Sequence, residues 1–208
     1  ESLQQFGFVH DTEVGKSGFI TALYIVFVPI ISLFLGRRGS PLLWAAVALS
    51  LVGLWFLCIP PEGFTIAAGD LFVLACAVVF SLHILVIGRY VLLVDAVELS
   101  MMQFFCGSIL AFFAMLALES PTWIGWQTAL PAMLWAGIMS NGIAYTLQIV
   151  GQRGMNDTTS SLILSLESVF SVISGWLILN EVLSMREGLG CVLMAAAVVL
   201  AQLPGNKR

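Results

Sequence analysis

Seven long apolar stretches constrain this chain more than any other feature of its sequence. An α-helix needs about 20 consecutive apolar residues to cross the hydrocarbon core of a bilayer. The stretches that reach this length are residues 17–36, 41–60, 67–89, 97–118, 128–151, 158–179 and 185–203. A shorter apolar stretch at residues 3–9 has the character of the end of another helix. The sequence therefore predicts an all-α integral membrane protein with seven transmembrane helices and part of an eighth.

The composition agrees with lipid as the surrounding solvent. Apolar residues make up 60% of the chain and charged residues 10%, whereas soluble domains are about half apolar and a quarter charged. The net charge is −4 and the basic residues are scattered, so we expect no nucleic acid as partner. The four cysteines lie within apolar stretches, and none belongs to a CxxC motif. We therefore expect no metal and no cofactor.

The positions of Lys and Arg predict the orientation of the chain, because cytoplasmic loops hold an excess of these residues. The turns between the stretches are short, so neighbouring helices should run antiparallel. Alternation then places six basic residues on one face and two on the other: Arg37, Arg38, Arg89, Arg153, Lys207 and Arg208 against Lys16 and Arg186. The C-terminus is therefore expected in the cytoplasm.

The beginning and the end of the chain resemble each other. Residues 3–44 read LQQFGFVHDTEVGKSGFITALYIVFVPIISLFLGRRGSPLLW, and residues 147–188 read LQIVGQRGMNDTTSSLILSLESVFSVISGWLILNEVLSMREG. The identities are few, but the hydropathy and the turns follow each other throughout. The matched positions include Ser17 with Ser160, Tyr24 with Glu167 and Phe27 with Phe170.

This repeat has a period of about 143 residues, which contains five predicted helices. Because five is odd, the second copy must enter the membrane from the opposite side, as in the inverted repeats of many secondary transporters. The charges agree, since the Arg37–Arg38 turn corresponds to Asn180–Glu181 in the second copy. The first copy lacks counterparts of residues 69–145, so we expect about 75 to 80 residues with three helices before Glu1. The intact protein would then have ten helices in two five-helix repeats.

Polar side chains inside the predicted helices are the candidates for a substrate site, because ionisable groups at membrane depth are costly. Glu167 lies near the middle of its helix, on one stripe with Ser160, Ser171 and Ser174. This stripe is typical of a cavity lining. A neighbouring stripe of small residues, Ser161, Ser165, Ser168 and Gly175, favours close helix contact. The alternatives are structural hydrogen bonds of Glu167 and bonds from the serines to their own helix carbonyls.

Further candidates share helix faces elsewhere in the chain. Asn141, Tyr145 and Gln148 follow the spacing i, i+4 and i+7, so they lie on one face. Thr21 and Tyr24 form a comparable stripe in the first copy. The predicted substrate-binding residues are Tyr24, His83, Asn141, Tyr145, Gln148 and Glu167, with Thr21, Gln103 and Ser171 lining the cavity. For each of these side chains, the alternative role is a hydrogen bond to a neighbouring helix. For His83 this structural role is the more ordinary interpretation.

Three segments of the chain carry a resemblance to a known family: GKSGFITALYIVFVPIISLFLGRR, GDLFVLACAVVFSLHILVIGRY and SLILSLESVFSVISGWLILNEVLSMREGLGCVLMAAAVVLA. In this order they resemble the fourth, the sixth and the last two helices of EamA-type members of the drug/metabolite transporter superfamily. The family usually has Pro after the glutamate of the ninth helix, where this chain has Ser168. That departure puts a kink at this point in doubt.

The resemblance implies a domain plan and a function. Residues 1–60 would be the end of the first EamA repeat, residues 67–203 the second repeat, and residues 204–208 a cytoplasmic tail. The resemblance implies a secondary transporter that exports or exchanges small metabolites, such as amino acids, across a bacterial inner membrane. Proton coupling and a homodimer are both compatible with the sequence.

Two other classes of protein are alternatives. One alternative is a membrane-embedded enzyme such as an intramembrane protease. It is disfavoured because the chain has only two histidines and no HExxH motif, and because Gly69–Asp70 stands alone as a candidate aspartyl motif. A seven-helix receptor fits the number of helices, but both lysines, Lys16 and Lys207, lie at or beyond the ends of the spans. A retinal Schiff base therefore has no attachment point.

Overall fold

The computed structural model describes residues 2–10, 14–37, 39–59, 68–118, 123–178 and 184–203. All regular elements within these ranges are helices, as predicted. They are α1 (Ser2–Val9), α2 (Val14–Ala22), α3 (Tyr24–Phe34), α4 (Pro41–Cys58), α5 (Gly69–Tyr90), α6 (Ala96–Leu118), α7 (Trp123–Trp135), a π-helix (Ala136–Tyr145), α8 (Thr146–Gln152), α9 (Asp157–Leu164), α10 (Leu166–Ile178) and α11 (Met185–Gln202).

Six helical stretches of the described chain are long and apolar enough to cross a membrane: Lys16–Phe34, Pro41–Cys58, Gly69–Tyr90, Ala96–Ala117, Asp157–Ile178 and Met185–Gln202. They correspond to six of the seven predicted spans. The remaining one, residues 128–151, is helical throughout but changes from α to π and back. The turn at Asn180–Glu181 and the tail at residues 204–208 lie outside the described residues.

The chain divides into two compact units, residues 1–85 with 156–208, and residues 86–155. In the first unit, an apolar core includes the fully buried side chains of Ile25, Leu54, Ile84 and Met194. These residues lie on α3, α4, α5 and α11, so the core joins the two ends of the chain. Burying such side chains and packing them closely is what holds helices together inside lipid.

Helices α4 and α11 form the most extensive helix pair of the first unit. Gly53 lies against Met194, and Gly190 lies against Leu57, so residue numbers rise along one helix as they fall along the other. The two helices therefore run antiparallel. Each begins at a serine N-cap, Ser40 for α4 and Ser184 for α11, and these serines are 144 positions apart. The hydroxyls accept hydrogen bonds from Leu43 N and Glu187 N, both at 3.2 Å.

The end of α3 is shaped by Gly36, whose φ of 78° is in the left-handed region. The Arg37 N–H donates to the Ser32 carbonyl at 2.9 Å, and the Gly36 N–H donates to the Leu33 carbonyl at 3.0 Å. This pair of bonds is a Schellman motif, in which glycine is favoured because it lacks a Cβ atom. The motif turns the chain sharply and fixes where Arg37 leaves the helix.

The second unit has a smaller core. Ile87, Val91, Ala96 and Ile149 are buried together. Beside them, the Ser100 and Thr146 hydroxyl oxygens are 2.6 Å apart and share a hydrogen bond between α6 and α8. Most other apolar side chains of α6 are exposed within the described chain, as expected of a helix whose neighbours are lipid or further protein.

Candidate functional site

Two of the membrane-spanning stretches are broken near their middle. These breaks are Leu23 in Lys16–Phe34, between α2 and α3, and Ser165 in Asp157–Ile178, between α9 and α10. Both residues keep right-handed helical φ and ψ, so each break is a local irregularity within one spanning helix. After each break, one backbone hydrogen bond joins residues three positions apart instead of four. These bonds run from Val26 N to Leu23 O at 2.9 Å and from Ser168 N to Ser165 O at 3.2 Å. The breaks are 142 positions apart (165 − 23). Interrupted helices at matching positions are where transporters place substrate sites.

Tyr24 and Glu167 are polar side chains within two residues of these breaks. Tyr24 is the first residue of α3, and Glu167 is the second residue of α10. Tyr24 is buried, whereas Glu167 is exposed within the described chain. Leu166 and Val169, on either side of Glu167, pack in the same apolar core as Tyr24. The breaks, 142 positions apart, thus lie within one residue of positions paired by the predicted repeat, which are 143 apart (167 − 24).

Tyr24 and His83 are brought together by an aromatic cluster, defined here as Tyr24, Phe80 and His83. The Tyr24 and Phe80 ring centroids are 5.0 Å apart in an edge-to-face arrangement, and the Phe80 and His83 rings stack at 5.9 Å. Edge-to-face pairing is favourable because the positive edge of one ring meets the negative face of the other. The cluster holds the Tyr24 ring between α3 and α5.

The two stripes of α9 and α10 differ in burial at most of their positions. Glu167, Ser171 and Ser174 are exposed within the described chain, whereas Ser161, Ser165 and Gly175 are buried. Ser160 departs from the pattern, since it is buried. The Ser161 and Ser165 hydroxyls donate to the carbonyls of Thr158 and Leu162, at 2.8 and 2.7 Å. The bond to the helix's own backbone, named as the alternative for the serines, therefore holds at these two positions.

In the second unit, Asn141, Tyr145 and Gln148 are half-buried on a segment whose other side chains are mostly exposed. The Tyr145 ring packs edge-to-face with Phe104 of α6 at 6.1 Å, and Gln103, next to Phe104, is also half-buried. Gln148 Nε2 is buried without a hydrogen-bond partner among the described residues. A buried amide of this kind needs water, a ligand or further protein to satisfy it.

The sequence analysis missed two features of this segment. Asn141 lies within the π-helix Ala136–Tyr145, and π-helical turns occur frequently at functional sites. Gln152 extends the stripe by one more turn, since it is four residues beyond Gln148, and its side-chain amide is buried without a partner in the described chain. Helical spacing alone was enough to identify Gln152.

Buried hydroxyls without a partner in the described chain also mark the first unit. Thr21 Oγ1 is one of them, and the others are the Oγ atoms of Ser17, Ser32, Ser50 and Ser160. Unsatisfied polar groups at this depth cost free energy unless water or a ligand reaches them. These hydroxyls therefore need water, a ligand or further protein to satisfy them.

Two ion pairs at the ends of the Lys16–Phe34 stretch were not foreseen. Lys16 Nζ lies 3.0 Å from Asp70 Oδ2, and the Arg37 guanidinium contacts the Asp157 carboxylate. In the sequence the basic residues served only to predict orientation. The partners are 54 and 120 positions apart (70 − 16 and 157 − 37), so no local pattern reveals that they pair. Asp70, the aspartyl candidate of the enzyme alternative, is thus engaged with Lys16. The described residues also hold no group of three or more His, Cys, Asp or Glu side chains suited to a metal ion.

Apolar spanning helices, broken at matching positions beside buried polar groups, define a polytopic helical membrane protein of transporter type. The profile of the EamA-like transporter family matches residues 67–203, which is more than half of the chain. The protein belongs to the EamA-like transporter family.

Two relatives extend this comparison. A protein of Archaeoglobus fulgidus, described as an uncharacterized transporter, is 31% identical over 202 residues, which are 92% of this chain and 61% of the relative. A protein of known crystal structure has a TM-score of 0.81 and 21% identity, covering 98% of this chain and 72% of that protein. The first relative indicates kinship, and the second, at this identity, indicates the fold alone. The chain spans about three-fifths of the curated relative's length.

Proposed function

We propose that the intact protein is a secondary transporter that exports or exchanges small metabolites such as amino acids by alternating access. The observation that carries the proposal is the pair of helix breaks at Leu23 and Ser165, with a polar side chain one residue after the first break, Tyr24, and two residues after the second, Glu167. Irregular helices at corresponding positions of two repeats are typical of substrate sites in secondary transporters.

The proposal includes ten helices in two inverted five-helix repeats, with residues 1–60 ending the first and residues 67–203 forming the second. The antiparallel packing of α4 and α11 supports it, because corresponding helices of an inverted repeat run in opposite directions. The matched serine caps at Ser40 and Ser184 support it as well. The excess of Arg near one set of turns favours a cytoplasmic C-terminus in a cell membrane.

The proposed substrate contacts are Tyr24, His83 and Glu167 in the first unit, and Asn141, Tyr145 and Gln148 in the second. Thr21, Gln103 and Ser171 line the pathway. Among these residues, Glu167 is the carboxylic acid at membrane depth, and a carboxyl group there has two functional roles open to it. It either exchanges a proton during transport or pairs with the amino group of the substrate.

The test uses the full-length protein in liposomes, with a panel of amino acids, sugars and cationic drugs, each assayed with and without a pH gradient. If Glu167 carries the proton, Glu167→Gln retains exchange but loses the response to the gradient. If Glu167 pairs with a substrate amine, the same variant loses flux under both conditions. Glu98→Gln, the same change at an exposed position in the first turn of α6, is the control. Flux and pH response both unchanged in Glu167→Gln would refute the role.

A further inference from the structure

The Lys16–Asp70 and Arg37–Asp157 ion pairs lie at opposite ends of one membrane-spanning stretch. Lys16 is the first residue of Lys16–Phe34, and Arg37 follows three positions after its end. From 16 to 37 the chain advances 37 − 16 = 21 residues. At about 1.5 Å per residue this is roughly 30 Å, which equals the thickness of the hydrocarbon core. The two pairs are therefore at opposite faces of the membrane.

Both pairs connect the same two parts of the protein. Lys16 and Arg37 belong to the chain before residue 67, whereas Asp70 in α5 and Asp157 in α9 lie within the region matched by the family profile, residues 67–203. Each pair thus joins a basic residue before the profile-matched repeat to an acidic residue inside it.

We propose that these two ion pairs are the gates of the transport pathway, one at each face of the membrane, with both closed in this structure. This inference rests on the proposed alternating-access function. One pair separates when the pathway opens to its own side, and the other pair stays closed. A structure with both pairs formed corresponds to the occluded state between the two open states.

The stretch between the gates is built to move in this way. It contains the break at Leu23 and also Pro29, which lacks the N–H that would bond to Ile25. A tilt of roughly 15° about the middle would displace each end, about 15 Å away, by roughly 4 Å. A displacement of this size separates an ion pair at one end, while the opposite end moves toward its partner.

The two gates differ in their exposure to water. The Lys16 and Asp70 side chains are 4% and 10% exposed, whereas the Arg37 side chain is 50% exposed and that of Asp157 is 7%. Separating the Lys16–Asp70 pair moves two opposite charges apart in a poorly solvated place, whereas water can hydrate Arg37 at once. The Arg37 gate should therefore open more readily, and in the absence of substrate the pathway should face the Arg37 side more often.

The test is the labelling of a reporter cysteine, Ser171→Cys, in a cysteine-free version of the full-length protein. A membrane-impermeant methanethiosulfonate reagent is applied to right-side-out or to inverted vesicles. Arg37→Gln should raise the labelling rate from the Arg37 side by roughly 2- to 5-fold, as expected for a half-exposed pair. Lys16→Gln should raise it from the opposite side by about tenfold or more, because that pair is buried.

Two controls complete the design. Arg153→Gln removes the same charge as Arg37→Gln from an exposed turn and should leave labelling unchanged. The exchange Arg37→Asp with Asp157→Arg restores the pair with its charges reversed and should return labelling to the rate of the parent protein. If a single variant does not fold, this exchange still decides, because an open Arg37 gate in the folded exchanged protein overturns the proposal.

Other outcomes also decide. The gate proposal is overturned if the labelling rate of the reporter cysteine does not depend on the side in any variant. It is also overturned if Arg37→Gln and Lys16→Gln both raise labelling from the same side. Solute flux, measured on vesicles with the same gate variants that keep Ser171, separates this proposal from the proposed function. Normal flux with unchanged labelling refutes the gates alone, whereas side-specific labelling without flux of any solute refutes transport and leaves the two-gate device standing.

Discussion

Gly53 of α4 and Gly190 of α11 lie face to face, so close that neither position has room for a side chain. A Cβ atom on Gly190 would stand 2.8 Å from the Gly53 carbonyl oxygen, and one on Gly53 would stand 3.0 Å from the Gly190 carbonyl oxygen. Small residues let helix backbones approach in lipid, where van der Waals packing replaces the hydrophobic driving force. This contact is at the centre of the antiparallel pair that joins the two ends of the chain.

Gly190→Ala should therefore destabilise the protein, because the new methyl group meets a backbone oxygen that cannot rotate away. The expected cost is about 1–3 kcal/mol, typical of overpacking, and it should appear as a lower Tm of the full-length protein in detergent. Gly188→Ala is the control on the same helix, since a Cβ atom there meets nothing within 4 Å. That variant should keep or raise the Tm, because Ala favours the helix. Equal Tm values for the two variants would contradict the close-contact interpretation.

The second prediction concerns Gly36, where the backbone conformation, and not a lack of room for a side chain, favours glycine. A Cβ atom at Gly36 meets nothing within 4 Å, yet its φ of 78° is unfavourable for any residue with a side chain. Gly36→Ala should cost about 1 kcal/mol in the free energy of unfolding, and thermal unfolding would measure it. Gly39→Ala, three residues further on, makes contacts no closer than 3.4 Å. It should have a much smaller effect, and a loss of stability as large as that of Gly36→Ala would argue against the Schellman motif as the cause.

Tyr24 combines a packing role with the proposed contact to substrate, and two substitutions separate them. Tyr24→Phe keeps the edge-to-face contact with Phe80 and removes only the hydroxyl group. It should raise the KM for transport about fivefold, the value of one hydrogen bond of about 1 kcal/mol. Tyr24→Leu removes the ring as well and should lower Tm, because the aromatic pair contributes about 0.5–1.5 kcal/mol beyond its buried area. An unchanged KM in Tyr24→Phe would assign Tyr24 to packing alone.

Much of the helical architecture follows from the sequence because it depends on local physics. Apolar length sets the spans, and short polar segments end them, so six predicted spans appear as helices of spanning length. Helical periodicity also separated the exposed face around Glu167 and Ser171 from the buried face around Ser161 and Ser165. These features need only the 100° rotation per residue and the cost of polar groups in lipid.

The remaining features depend on contacts between distant residues. The breaks at Leu23 and Ser165 are not marked by Gly or Pro at those positions, so local propensity does not reveal them. The Arg37–Asp157 pair joins residues 120 positions apart. Ser160 is buried although Glu167, Ser171 and Ser174 of the same stripe are exposed, a difference that helical spacing alone does not predict. All the predicted site roles stay predictions, those of the substrate-binding residues and those of the cavity-lining residues such as Gln103, since helical spacing gives a face and not the ligand that meets it.

Gln148 offers a prediction in which stability and transport should change in opposite directions. Its Nε2 atom is buried without a partner in the described chain, and such a group costs about 1–3 kcal/mol when nothing satisfies it. Gln148→Leu removes that cost and should raise the Tm of the substrate-free protein, while flux falls because the amide no longer meets the substrate. Gln127→Leu, which replaces an exposed amide of α7, should change neither quantity. A Gln148→Leu protein that is less stable and transports normally would show that the amide bonds to another helix of the intact protein, and not to a solute.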